Sequence, residues 1–310
     1  MEHLYVTSMH NTMLFFTEKG RCFWLKVYEI PEGTRASKGR AIQNVIQIEP
    51  DDKVRAYINI RHLEDEEFVN SHYIVMCTKE GVVKKTLLEE YSRPRRNGVN
   101  AINIRENDQL VDVVLTSGNA EILLATHEGK AIRFNESKVR AMGRVSTGVR
   151  GVDIEEGNWV VGMACVEEGD GKDILVLSEN GYGKRTDLED YRVTNRGGKG
   201  VKTINVTEKT GALVALKAVT DENDLMIINR SGTTIRTSVA DIRVAGRATQ
   251  GVKIINIREG DSIASVVPVP REEEDDNLVA EGTEQSAEQE VVATDAVAVE
   301  VEQAETPSEE

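Results

Sequence analysis

The chain has 310 residues, enough for one large all-β domain or two ordinary ones, and at 39% hydrophobic it can bury a core. No run approaches 18 apolar residues, and Met1–Tyr5 is not a basic stretch followed by an apolar one, so neither a membrane span nor a secretory signal is expected. The net charge of −15 is unevenly placed: residues 271–310 hold fifteen acids against one base, Arg271, which leaves residues 1–270 nearly neutral, with 37 basic and 38 acidic side chains, a balance that permits a basic stripe.

Along the chain, five apolar runs each meet a polar-polar-Gly turn and then a second run. They are Met13–Thr17 before Gly20, Tyr73–Thr78 before Gly81, Ile122–Thr126 before Gly129, Ile174–Ser178 before Gly181, and Leu225–Asn229 before Gly232. Glycine as the third turn residue fits a three-residue hairpin whose last position is left-handed. The flanking runs, short and rich in Ile, Val and Leu, read as strands. The turn glycines lie 61, 48, 52 and 51 residues apart. A second glycine follows each at a nearly fixed distance: Gly39, Gly98, Gly148, Gly200 and Gly251, at separations of 19, 17, 19, 19 and 19. After it a third strand is expected, as at Ala101–Ile104, Thr203–Val206 and Ile254–Ile257, and a fourth closes each unit, as at Leu110–Leu115. Four strands per unit of about fifty residues is the mark of propeller blades. The expected organisation is an all-β domain over residues 1–270, with repeats at about 3–62, 67–117, 118–167, 168–220 and 221–270. A tail over 271–310, acidic and without aromatics, is expected to be disordered.

Positive charge recurs in register. Arg35, Arg144, Arg196 and Arg247 each stand four residues before the second glycine, and Arg95 and Arg96 occupy the shortened loop of the second repeat. Lys38 and Lys199 directly precede a second glycine. On the strand after the first glycine come Lys84 and Lys85, Arg133, Lys184 and Arg185, and Arg236, with Trp24 at the matching point of the first repeat. One basic residue per blade draws a belt around a disc, and a curved belt suits sequence-independent binding of duplex DNA. The three cysteines, Cys22, Cys77 and Cys165, and five scattered histidines show no metal-ligand spacing, and the thiols read as buried and free in a reducing cytoplasm. No paired catalytic groups and no phosphate-binding loop are evident; Gly197-Gly198 is followed by Lys199-Gly200 rather than Lys-Ser/Thr.

Several stretches, Gly81-Val82-Val83-Lys84-Lys85-Thr86, Val139-Arg140-Ala141-Met142-Gly143-Arg144, Asn180-Gly181-Tyr182-Gly183-Lys184-Arg185-Thr186 and Gly246-Arg247-Ala248-Thr249-Gln250-Gly251-Val252, resemble the C-terminal domain of the DNA gyrase A protein, a β-pinwheel, over residues 3–270. The resemblance implies a non-catalytic disc that wraps duplex DNA on its rim and supports ATP-dependent negative supercoiling. Its partners would be the gyrase A cleavage core and the gyrase B protein in an A2B2 holoenzyme, with ATP and Mg used only elsewhere in that holoenzyme and no cofactor or membrane contact here. An acidic tail is common in that family, and a tethered polyanion is expected to compete with DNA for a nearby basic rim. The family disc usually has six blades where five repeats are counted here. Its first blade carries a Gln-basic-Arg-Gly-Gly-Lys-Gly box, for which Thr194–Gly200, without the glutamine, is the nearest match; the chain is therefore expected to be a fragment lacking that blade. The competing readings are the DNA-bending C-terminal domain of topoisomerase IV and, from another class, a protein-binding propeller, whose Trp-Asp repeat endings are missing.

Overall fold

The computed structural model describes residues 7–34, 37–258 and 260–271. The chain divides into two units, Met1–Pro270 and Arg271–Glu310. The expected tail, Arg271 apart, lies outside the described residues, as does Arg35.

The first repeat contributes β1 (Thr12–Thr17), β2 (Arg21–Lys26) and β3 (Val54–Ile60). One turn and a half of helix, α1 (Glu66–Ser71), capped by Asp65, leads to the second. Each later repeat gives four strands: β4 (Tyr73–Thr78), β5 (Val82–Leu87), β6 (Val99–Asn100) and β7 (Leu110–Thr116); β8 (Glu121–Thr126), β9 (Lys130–Asn135), β10 (Val149–Arg150) and β11 (Val160–Val166); β12 (Asp173–Ser178), β13 (Tyr182–Thr186), β14 (Val201–Lys202) and β15 (Leu213–Val219); β16 (Asn223–Asn229), β17 (Thr234–Ser238), β18 (Val252–Lys253) and β19 (Ile263–Pro270). All five hairpin glycines have positive φ, between 77° and 88°, as the turn requires.

The blades are not the repeats. The sheet orders are β3-β1-β2-β6, β10-β5-β4-β7, β11-β8-β9-β14, β15-β12-β13-β18 and β17-β16-β19. Each of the first four blades therefore takes its outermost strand from the following repeat, and the fifth sheet has three strands. The borrowed strand also begins directly after the second glycine, so Ala101–Ile104, Thr203–Val206 and Ile254–Ile257 are not strands. Their N–H groups serve the turn instead: Ala101, Thr203 and Ile254 donate to the carbonyls of Gly20, Gly129 and Gly181. A strand of two residues satisfies too few backbone groups to stand by itself, and it forms where a neighbour's edge offers partners.

The central strands read as unbroken apolar runs because both their faces are covered. β1 is buried throughout and β8 is buried from Ile122 to Thr126. Separate cores fill the spaces between consecutive blades, as where Leu14, Phe16 and Ile58 meet Ile74, Met76 and Val113. The strands β3, β7, β11, β15 and β19 pack one on the next. Every blade repeats a register shift between its central strand and this last strand, at Phe16/Thr17, Cys77/Thr78, Val160/Gly162, Leu177/Ser178 and Ile228/Asn229. A bulge at one fixed place in each blade increases local twist and marks a true structural repeat.

Strand exchange depends on close approach at the second glycine. Gly200 has φ 75°, and a Cβ there would stand 2.6 Å from the Ala131 carbonyl oxygen, beside the Val201–Ala131 pair that joins β14 to β9. Gly200→Ala is expected to cost about 2 kcal/mol or more, from backbone strain and the clash together. Urea unfolding that leaves the midpoint unmoved would contradict this account of the exchange.

Candidate nucleic-acid interface

The two residues that follow the hairpin glycine by three and four positions are mostly buried. Lys84 and Lys184 have no exposed surface, and Lys85, Arg133 and Arg185 are each 7% exposed. This corrects the expectation that these five side chains reach DNA. Their charge is spent inside, on partners in their own repeat and, in every case, in the next one. Lys85 pairs with buried Glu136 at 2.9 Å and lies over the Tyr73 ring. The Arg133 guanidinium donates to the carbonyls of Leu188 and Tyr191 and pairs with Glu121 and Glu189. Arg185 donates to the Ile242 carbonyl and pairs with Asp173 and Asp221. Trp24, at the same register, donates its indole N–H to the Tyr91 carbonyl at 2.9 Å. All four grip a short turn of the following repeat, three of them tight helical turns at Leu88–Tyr91, Glu136–Lys138 and Leu188–Asp190. A buried donor is tolerated where such acceptors meet it. The tryptophan was the available signal, because an indole in register with the arginines points to a shared hydrogen-bond donor rather than a shared charge. Arg236, in the fifth repeat, is exposed and pairs with Asp224 at 2.7 Å.

The two fully buried lysines reach loop carbonyls. Lys84 Nζ donates to the carbonyls of Ala101 and Arg144, each at 2.5 Å. Lys184 Nζ donates to the Gly246 carbonyl at 2.5 Å and the Thr249 hydroxyl at 3.1 Å. Burial pushes Lys84 down to about 7, and Lys184 to about 8, with Glu90 and Asp190 opposing the shift and Arg144 and Arg247 adding to it. Between those values and the ordinary 10.5, the unfolded chain binds protons that the folded chain does not, so stability rises with pH. Each lysine then contributes up to about 1.4 kcal/mol per pH unit, Lys84 first. Above the ordinary thiol value of 9.0 the trend reverses, because burial keeps Cys22, Cys77 and Cys165 protonated in the fold alone. Urea titrations between about pH 7 and 8.5 are expected to show the rise, and Lys84→Met with Lys184→Met to flatten it.

The basic loop residues lie outside. Lys38, Arg95, Arg96, Arg196 and Lys199 are exposed, and Arg144 and Arg247 are partly so. The loops of repeats two to five sit on the blades' outer edge, because each runs into a borrowed strand; Lys38 lies in the first repeat, where no strand follows Gly39 before Val54. The Arg196 guanidinium donates to the carbonyls of Lys138 and Arg150, that of Arg247 to the Lys202 carbonyl, and that of Arg144 to Glu90. Backbone bonds from Asn103 to Ser146, Asp153 to Gly198 and Asn205 to Thr249 tie the loops of repeats three to five to the segment just after the preceding outer strand, so that successive loops form one continuous path.

Two further basic registers share that path and escaped the reading of the sequence. Arg140, Arg192 and Arg243 stand eight residues before the second glycine, and Arg150, Lys202 and Lys253 stand two after it. All six are exposed. They were legible by the same glycine count. Repeats three to five thus carry three basic positions each, and the second carries Arg93, Arg95 and Arg96. Several cations at fixed intervals along an edge can neutralise successive phosphates and release their counterions. No group of three or more His, Cys, Asp or Glu side chains suited to a metal ion occurs among the described residues.

The family model described as "DNA gyrase C-terminal domain, beta-propeller" matches residues 11–56, 72–117, 120–167, 172–220 and 223–270. The DNA gyrase A protein of Staphylococcus epidermidis (strain ATCC 12228 / FDA PCI 1200) is 44% identical over 277 residues, which cover 89% of this chain and 30% of that protein. Its counterpart in Staphylococcus aureus (strain MRSA252) is 43% identical over 294 residues, covering 93% and 33%. The chain spans about a third of the length of these curated relatives. Among solved structures, the C-terminal domain of DNA topoisomerase IV superposes with a TM-score of 0.74 at 27% identity, over 89% of this chain and 84% of the other. A DNA gyrase A C-terminal domain superposes at 0.73 with 22% identity, over 84% and 83%, a likeness of fold.

Proposed function

The chain belongs to the DNA gyrase C-terminal domain family, and from that premise we propose that it binds and wraps duplex DNA along the outer edge of its blades. The observation that carries this reading is the run of exposed arginines and lysines, in three registers, along the path made by the loops and borrowed strands. Such a path contacts phosphates, so it binds with little sequence preference. Within a full-length gyrase A protein, the wrapped duplex would be presented to the cleavage core. The reacting tyrosine would be supplied there, and ATP turnover with Mg by the gyrase B protein of an A2B2 assembly in the bacterial cytoplasm. The chain itself would contribute positioning of DNA and no bond-breaking step.

Titration of two unrelated duplexes across a range of salt tests this. The expected result is similar affinity for both and a steep salt dependence, which Arg144→Ala, Arg196→Ala and Arg247→Ala together flatten by up to roughly three units. An unchanged slope in the triple variant would overturn the edge assignment. A second reading, DNA bending of the topoisomerase IV type, draws on the superposition with that enzyme's C-terminal domain. Fusion to a gyrase cleavage core, with the gyrase B protein supplied, separates the two, since only the wrapping domain is expected to support negative supercoiling.

A further inference from the structure

The three edge loops that carry Arg144, Arg196 and Arg247 are held in two different ways. Beneath the first and third lies a buried lysine. Lys84 donates to the carbonyl of Arg144 itself, and Lys184 to the carbonyl of Gly246, the residue before Arg247. At the same register the third repeat has Ile132, which offers no donor to the loop at Arg196. That loop is held by its own atoms: the Gly197 N–H donates to the Gly151 carbonyl at 2.6 Å, and the Arg196 guanidinium donates to two backbone carbonyls, both at 3.0 Å. Where a lysine is present, the guanidinium makes fewer such bonds. Arg247 makes one, at 3.2 Å, and Arg144 none, its partner being the carboxylate of Glu90.

We infer that Lys84 and Lys184 are positioning residues for DNA binding: each pins the loop backbone of the next repeat from below and leaves the loop's arginine fewer backbone bonds to give up when it turns to a phosphate, whereas Arg196 braces its own loop. The inference rests on the edge-binding reading above. Its physical basis is preorganisation. A guanidinium carried on a fixed backbone loses less entropy when it meets a phosphate than one on a loose loop. The Nζ donors are well suited to the task, because each faces carbonyl or hydroxyl oxygens and neither lysine has exposed surface through which water could compete. Arg196 must give up two backbone bonds before it can engage DNA fully, so its removal disturbs the loop as well as the charge.

Double-mutant cycles on DNA affinity test this division of roles. Lys84→Met keeps the aliphatic volume and removes the donor. In the unaltered chain, Arg144→Ala is expected to weaken DNA binding by about threefold or more, and in the Lys84→Met background by less than about twofold. The same relation is expected between Lys184→Met and Arg247→Ala. The crossed pairs, Lys84→Met with Arg247→Ala and Lys184→Met with Arg144→Ala, are expected to be additive, a selectivity that general destabilisation does not produce. Thr249→Val trims the Lys184 contact at the surface without opening the core, and it is expected to couple to Arg247→Ala in the same direction, so the inference remains testable if a methionine variant does not fold. Additivity in the matched cycles overturns the positioning role alone. Arg144→Ala and Arg247→Ala without effect in the unaltered chain overturn the edge reading, and this inference with it.

Discussion

Removing six edge arginines together, Arg140, Arg144, Arg192, Arg196, Arg243 and Arg247, each to alanine, is expected to flatten the plot of log affinity against log salt by roughly five units and to weaken duplex binding by about three orders of magnitude near physiological salt. The six come from the loops of repeats three to five, where four are exposed and Arg144 and Arg247 are partly so. The effect should divide unevenly. The side chains of Arg140, Arg192 and Arg243 make no hydrogen bond or ion pair with other described residues, so their loss is expected to remove positive charge from the edge and little else. Arg196 also braces its loop through the Lys138 and Arg150 carbonyls, and its removal should lower stability slightly as well. The salt dependence, measured by fluorescence titration with one duplex, is the decisive reading. A large affinity loss with an unchanged slope would mean that the variant had been damaged by misfolding rather than stripped of phosphate contacts.

The opposite behaviour is expected of the buried cations. Lys85→Met strands the Glu136 carboxylate, which has no exposed surface and would keep only the Thr116 hydroxyl and the Ala120 N–H as partners. Breaking a buried pair from one side costs about 3–5 kcal/mol, because the remaining charge is left without its counter-ion. Urea unfolding is expected to show that loss, while the salt slope of DNA binding measured under folding conditions stays within about half a unit of the unaltered chain. A flattened slope with unimpaired stability would return Lys85 to the interface. The two experiments separate basic residues that look alike in the sequence into those that hold the fold and those that meet solvent.

Much of the architecture is written locally. Glycine at the third turn position, followed by a second glycine seventeen or nineteen residues on, specifies five hairpins in fixed register, and the positive φ at each turn is the reason only glycine serves there so well. The central strands were legible because both faces are buried, which turns them into unbroken apolar runs such as Ile122–Ala125. The loop arginines could be placed on an edge from the same glycine count, and so could Arg140, Arg192 and Arg243 had the count been extended eight residues upstream.

What local sequence could not express is which repeat a strand serves. Val99-Asn100 and Val201-Lys202 carry no mark of belonging to the preceding blade; two residues pair wherever an open edge presents its N–H and C=O groups, and only the folded neighbour supplies one. The burial of Lys84, Lys85, Arg133, Lys184 and Arg185 has the same origin. A charged side chain on a strand reads as exposed because burial without partners is costly. The partners that remove the cost, Arg144 O, Glu136, Tyr191 O, Gly246 O and Ile242 O, lie 51 to 62 residues further along the chain. The sequence by itself determined the repeat, the turns and the supply of basic residues; the tertiary structure decided which of those residues the next repeat covers and which are left to solvent, because that choice depends on acceptors brought together only when one blade closes on another.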